Sequence, residues 1–259
     1  MLIARAIPCL LLEDNSLVKT VKFKNPAYIG DPVNAIKIYN EKEVDELIFL
    51  DITASKENQP PPFQIISEIA DECFMPLAYG GGITTIEDIR KIFNIGVEKV
   101  CLNNIALENP ELVRETSQIF GNQSVVVSID AKKSFLGKHS VYSHAKGKVL
   151  KMDVIDFAVK MEKMGAGELL ITSVDKEGTW EGYDIDLIKK VTSAVNVPVI
   201  ANGGAGSVDD FAMAVHESGA SAVAAGSMVV YQKKDLGVLI NFPKRQVLDE
   251  IFECQTVEA

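Results

Sequence analysis

Gly80-Gly81-Gly82-Ile83, followed by Glu87-Asp88-Ile89, returns later as Asn202-Gly203-Gly204-Ala205, followed by Asp209-Asp210-Phe211. Matched positions differ by 122, from Gly81 and Gly203 to Asp88 and Asp210, and the same offset pairs Glu46-Leu47-Ile48 with Glu168-Leu169-Leu170. A solenoid repeats every ~20–50 residues. A period of nearly half the 259-residue chain instead marks a duplicated architectural unit, with halves at about 1–122 and 123–245.

Around these turns the chain alternates two patterns. Short, nearly continuous apolar runs at about 3–11, 46–52, 75–79, 98–103, 124–130, 167–173, 197–201 and 221–225 suit strands buried on both faces of a parallel sheet. Segments of helical period lie between them at about 32–42, 62–72, 84–95, 109–119, 153–164, 184–195 and 207–217, with a weaker signal after 235. Thr84 before Glu87 and Ser207 before Asp210 read as helix caps. Eight strands in two equivalent halves predict an α/β fold, one closed (β/α)8 TIM barrel over residues 1–259, with an open doubly wound sheet as the alternative. Residues 12–31 read as an oversized loop. In the second oversized loop, 131–150, Ser140–Ser143 and Lys148–Leu150 can pair as a hairpin.

Composition narrows the function. A net charge of −10 argues against a nucleic-acid binder, whose affinity rests on clustered Lys and Arg. Cys9, Cys73, Cys101 and Cys254 are scattered without metal-ligand spacing, so reduced thiols, no metal and no cofactor are expected. No apolar run reaches the roughly 18 residues of a membrane span, and the expectation is a soluble, cytoplasmic protein with no membrane partner.

In a barrel the loops after the strands form the active face. That rule selects Asp51 and Thr53, Gly80 to Gly82, Asn103 and Asn104, Asp130 and Lys132, Thr172 and Asp175, Gly203 and Gly204, and Gly226 with Ser227. Glycine at a strand-to-helix turn lets backbone N–H groups approach an anion, and the helix dipole adds to the attraction. Two phosphate sites are expected. One combines Gly82 with Asn103 and Asn104; the other combines Gly178, Gly204, Gly226 and Ser227, with Glu177 beside them. Glycines that merely make tight turns are the alternative. A small molecule phosphorylated at both ends fits this symmetry.

Several motifs carry a family resemblance across almost the whole chain: Arg5-Ala6-Ile7-Pro8-Cys9-Leu10, Gly30-Asp31-Pro32, Phe49-Leu50-Asp51-Ile52-Thr53-Ala54-Ser55, Gly80-Gly81-Gly82-Ile83, Val125-Val126-Val127-Ser128-Ile129-Asp130-Ala131-Lys132, Gly178-Thr179 with Gly182-Tyr183-Asp184, and Gly203-Gly204-Ala205-Gly206. The chain resembles the HisF-type cyclase subunit of imidazole glycerol phosphate synthase. The resemblance implies a bis-phosphorylated ribonucleotide substrate. It also implies a HisH-type glutaminase subunit that docks at the barrel bottom as a heterodimer and feeds ammonia through the barrel. The family's charged ammonia gate falls on Arg5, Glu46, Lys99 and Glu168, all with the expected charge; alternating charges that only close the barrel bottom are the other reading. Lys19 matches a substrate-contacting lysine.

The resemblance breaks at the chemistry. Its members use two aspartates as a general acid–base pair. Asp130 matches the second, but the first falls on Leu11. Glu13 shares a strand face with Leu11 if the strand continues, though several ångström away. A family threonine is Asn104 here, and a serine is Asn202.

Three readings follow. The chain is an ordinary histidine-pathway cyclase, or a HisF-like paralogue that passes ammonia to a separate sugar amidotransferase, or a scaffold activating its glutaminase. Ile7-Pro8-Cys9-Leu10-Leu11-Leu12 and Val238-Leu239-Ile240-Asn241-Phe242-Pro243 resemble HisF-like proteins of bacterial surface-polysaccharide clusters, where sugar acetamido groups become acetamidino groups. Loss of a paired acid costs orders of magnitude in rate, which favours the paralogue. A HisA-type isomerase, related through the half-barrel, fits less well because the gate charges follow HisF.

Overall fold

A computed structural model describes residues 4–135 and 137–253. Eight parallel strands form the barrel: β1 (Arg5–Glu13), β2 (Leu47–Asp51), β3 (Leu77–Gly80), β4 (Lys99–Leu102), β5 (Val125–Lys133), β6 (Glu168–Ser173), β7 (Val199–Asn202) and β8 (Ala222–Ala225). β1 pairs with β8 through Ile7 and Ala224 and with β2 through Leu11 and Leu50. β5 pairs with β6 through Asp130 and Thr172. The sheet therefore closes on itself, and the open-sheet alternative falls away.

Eight principal helices cover the outside: α1 (Pro32–Glu41), α2 (Phe63–Glu72), α3 (Ile86–Ile95), α4 (Glu111–Phe120), α5 (Val154–Lys163), α6 (Ile185–Thr192), α7 (Val208–His216) and α8 (Arg245–Glu253). Side chains such as Leu10, Phe49, Tyr79 and Phe211 fill the space between strands and helices. Alternate residues point inward and form a second core, which includes Ile7, Ile48, Ala78, Val126, Leu170 and Ile200. This two-sided burial is why the strands read as continuous apolar runs.

The repeat is legible at the caps. Asp88 accepts from the backbone N–H of Thr85 and Asp210 from that of Ser207, each opening a helix after a glycine turn. The cap of α3 is Thr85, one residue beyond the expected Thr84, whose hydroxyl instead donates to the Asp88 carboxylate. Ser207 and the offset of 122 point to the same residue.

The first oversized connection is not a loop. Ser16–Val21 and Lys24–Gly30 form an antiparallel hairpin that extends β1, turning through Lys22 and Phe23 at φ 54° and 61°. Two positive-φ residues match the right-handed twist of a hairpin, but the usual Asn-Gly signal is missing. The second connection pairs His139–Ser143 with Lys148–Asp153, as the sequence suggests. Among the described residues no helix is long and apolar enough to cross a membrane.

Candidate functional site

At the barrel's lower end four charges form a closed ring. Arg5 donates to Glu46 at 2.5 Å and to Glu168 at 2.8 Å, while the Lys99 ammonium reaches the same carboxylates at 2.9 and 3.2 Å. Glu46 is only 2% exposed and is compensated from two sides. An isolated charge there would carry a heavy desolvation cost; the closed ring offsets it. Above the ring the interior is apolar up to Cys9 and Cys101.

At the upper end a cavity opens among the strand C-termini. It gathers Leu11, Lys19, Asp51, Asn103, Asn104, Asp130, Thr172, Glu177, Gly178, Gly204, Gly226 and Ser227. Gly82 stands behind this wall. Its N–H donates to the Ser55 hydroxyl, and Gly80 and Gly81 form the lining in its place.

Asp130 is buried, with the Asn103 amide donating to its carboxylate at 3.1 Å and to the Ser128 carbonyl at 3.0 Å. Burial pushes its carboxyl up to about 7, and the Asn103 hydrogen bond pulls the other way. A carboxyl that exchanges a proton near neutrality suits general acid–base work. Across the same cavity β1 offers Leu11, which has no proton to give. Glu13 ends β1 opposite Ser16 and does not line the cavity. Nearby, burial raises the Cys9 thiol to about 12, leaving it protonated.

Around the second glycine turn the first hairpin folds inward. The Lys19 ammonium contacts the Glu177 carboxylate and donates to the Thr20 carbonyl at 2.9 Å. Glu177 also accepts from the Thr20 hydroxyl and the Phe23 N–H, both at 3.1 Å. Burial lowers the Lys19 ammonium to about 7, with Cys9 opposing the shift. Its side chain lies against Gly226, where an added Cβ would come within 2.9 Å of the lysine Cε. Gly178, at φ +74°, allows the hairpin to approach, since a Cβ there would meet the Thr20 carbonyl oxygen at 2.5 Å. The turn thus places a lysine, a carboxylate and several close backbone segments together, the elements of an anion site with an internal counter-ion.

At the end of β2, beside the first turn, the Asp51 carboxylate accepts from the N–H groups of Thr53 and Ala54 where a short helix begins, each at 2.8 Å. The Asn104 side-chain oxygen and the Thr53 hydroxyl are buried without a hydrogen-bond partner among the described residues. Of the two, Asn104 lines the cavity, where an orphaned polar atom is unusual and is ready to meet a ligand.

The hairpins also bring in residues absent from the sequence reading. Phe23 meets His144 edge-on at 5.5 Å and Tyr142 at 6.0 Å, so the two hairpins touch above the cavity. His144 lines the cavity and shares a 3.1 Å hydrogen bond with the Ile52 carbonyl. A carbonyl only accepts, so the proton is on Nε2. Burial lowers the pKa of this imidazole. Only a histidine within a suspected hairpin was available as a sequence signal. Cys9 and Cys101 are buried free thiols, Cys73 is partly exposed, and Cys254 lies outside the described residues. Among the described residues no group of three or more His, Cys, Asp or Glu side chains is placed to hold a metal.

A family model described as "Histidine biosynthesis protein" matches residues 5–235. The chain is 51% identical over 245 residues, covering 95% of this chain and 98% of the relative, to "Putative imidazole glycerol phosphate synthase subunit hisF2" of Pseudomonas aeruginosa. It is 44% identical over 253 residues, covering 97% of this chain and all of the relative, to "Putative imidazole glycerol phosphate synthase subunit HisF" of Leptospira interrogans. A Vibrio vulnificus protein named as subunit hisF3 is 44% identical over 244 residues, with 94% of each chain covered.

Proposed function

The chain belongs to the histidine biosynthesis protein family as a HisF-like barrel, and from that premise we propose that it is the synthase subunit of a glutamine amidotransferase, relaying ammonia to a separate sugar-amidating enzyme. A HisH-type glutaminase docks at the lower end and releases ammonia beneath the ring of Arg5, Glu46, Lys99 and Glu168. Passage requires one arm of the ring to swing aside. The apolar interior then favours neutral ammonia over ammonium, because a bare charge there carries a large desolvation cost. A phosphorylated small molecule occupies the two glycine turns above. The acceptor is a surface-polysaccharide sugar whose acetamido group becomes acetamidino, a choice supported by the resemblance of the β1 and 238–243 segments.

One observation carries the preference for relay over cyclisation: Leu11 stands in the cavity with Asp130, and Glu13 does not line it. Cyclisation needs a proton donor and a proton acceptor, and the strand-end pair supplies one of the two. The reading is tested by feeding cells amide-labelled ¹⁵N-glutamine and following the label into the sugar amidino group. Ala222→Phe fills the barrel interior and should abolish labelling, while circular dichroism confirms that the variant folds. Persistent labelling would mean that ammonia travels outside the barrel, as a mere scaffold allows.

A specific observation keeps cyclisation as the second reading. Asp130 is poised near 7, and residues of both glycine turns converge on one cavity, as a bis-phosphorylated ribonucleotide requires. The products would then be imidazole glycerol phosphate and an aminoimidazole carboxamide ribonucleotide.

A further inference from the structure

Charge is distributed very unevenly along this acidic chain. The connections after β1 and β5, residues 16–30 and 131–152, hold nine of its 26 Lys and Arg residues and none of its 36 acids. The other 222 residues are left with 17 cations against 36 anions. Both connections rise from strand C-termini and meet above the cavity through Phe23 and His144. The active face is therefore a basic collar on an acidic body.

Most of this charge is unpaired. Lys138 bonds to Asp153 and Lys146 to Glu108, whereas Lys22, Lys24, Lys133, Lys148 and Lys151 have no ion pair among the described residues and are exposed. Large exposed apolar side chains cluster on the same face. Of the ten among the described residues, seven lie on these two connections or on the stretch after β8, with Tyr28 at 70% and Leu239 at 51% exposure as examples. A few solitary surface apolars need no explanation; seven around one opening, interleaved with lysines, have the composition of an interface.

We infer that this collar is the docking surface for a second protein with an acidic, partly apolar rim, which caps the cavity mouth and takes up what leaves it. The inference rests on the relay reading in one respect: a diffusible product must pass between two sites without release. Charge complementarity selects the partner's chemistry and speeds encounter. A long polyanion such as nucleic acid would also meet the acidic body. A lipid surface would cover the mouth but accept nothing from it.

Three probes separate these possibilities for the intact protein: a 20-residue helical peptide with glutamates on one face and leucine and phenylalanine on the other, an all-glutamate peptide of equal length, and phosphatidylglycerol vesicles. The amphipathic acidic peptide should bind at least tenfold more tightly than the all-glutamate peptide, and vesicles should not retain the protein. Lys22→Glu/Lys24→Glu/Lys148→Glu should weaken the peptide at least tenfold, and Tyr28→Ser/Leu239→Ser about threefold, with unchanged unfolding midpoints. Equal binding of the two peptides would reduce the collar to a steering field for small anions, and vesicle binding would make it a lipid contact. Either result, or insensitivity to both sets of substitutions, overturns the inference. None of these measurements involves ammonia, so failure of the relay and failure of the collar are separately visible.

Discussion

Replacing Lys99 by methionine tests the ring at the barrel's lower end. Lys99 is 16% exposed and bridges Glu46 and Glu168 at 2.9 and 3.2 Å. Methionine keeps most of the volume but leaves two carboxylates, one of them 2% exposed, sharing Arg5 alone. Breaking a buried ion pair costs about 3–5 kcal/mol. Arg5 still compensates both acids, so about 3 kcal/mol is expected. For a barrel of this size that is a fall of roughly 6–12 °C in Tm. The surface pair Lys190–Asp186, with both side chains about half exposed, is the control, and Lys190→Met should cost less than about 1 kcal/mol. Adding Glu168→Gln to Lys99→Met restores neutrality and should recover about half the loss. Urea and thermal unfolding followed by circular dichroism supply the numbers. If Lys99→Met behaves like Lys190→Met, or if the double variant is no better than the single, the ring is not a mutually compensated buried cluster.

Other expectations follow from the cavity. Burial raises Asp130 to about 7 from its ordinary value of 3.8, so the folded protein holds a proton there that the unfolded chain has released. Stability should therefore fall as pH rises from about 4 to about 7, by at most about 4 kcal/mol. Asp130→Asn should flatten that part of the urea-midpoint profile; an unchanged slope would place the Asp130 pKa at an ordinary value. Glu177→Ala removes the acceptor of Lys19, Thr20 and Phe23, and the amide of Phe23 should exchange hydrogen at least tenfold faster. Unchanged protection would show that the hairpin is held by other contacts. Gly204→Ala puts a Cβ 2.2 Å from the Gly182 carbonyl oxygen at φ +117°. It should weaken inorganic phosphate binding, measured by calorimetry, by tenfold or more, and undiminished binding would remove this turn from the anion site.

The apolar runs locate the eight strands and the 122-residue repeat their two-fold arrangement, because strands buried on both faces and glycine turns leave strong local marks. The hairpin at 16–30 looks like a loop in sequence although Val18, Thr20 and Val21 favour strand, because its turn uses Lys22 and Phe23 rather than Asn-Gly. Most candidate site residues could be picked from strand ends alone, although Thr53, Gly82, Lys132 and Asp175 do not line the cavity. Gly82 is set back by Ser55, a contact between neighbouring βα connections that spacing does not encode. His144 reaches the cavity only because a hairpin folds over it, and the Lys19–Glu177 contact joins residues 158 apart. Such placements depend on tertiary packing, where local pattern is silent.

The relay reading depends most directly on the missing carboxylate. The purified protein should be offered the bis-phosphorylated ribonucleotide precursor with ammonium salt, as wild type and as Leu11→Asp, with product formation followed over time. Wild type should show no cyclisation at ordinary enzyme rates, and Leu11→Asp, with a carboxylate beside Asp130, should gain at least a hundredfold. Turnover by the wild-type protein at about 1 s⁻¹ or faster, a common enzyme rate, would contradict the relay reading.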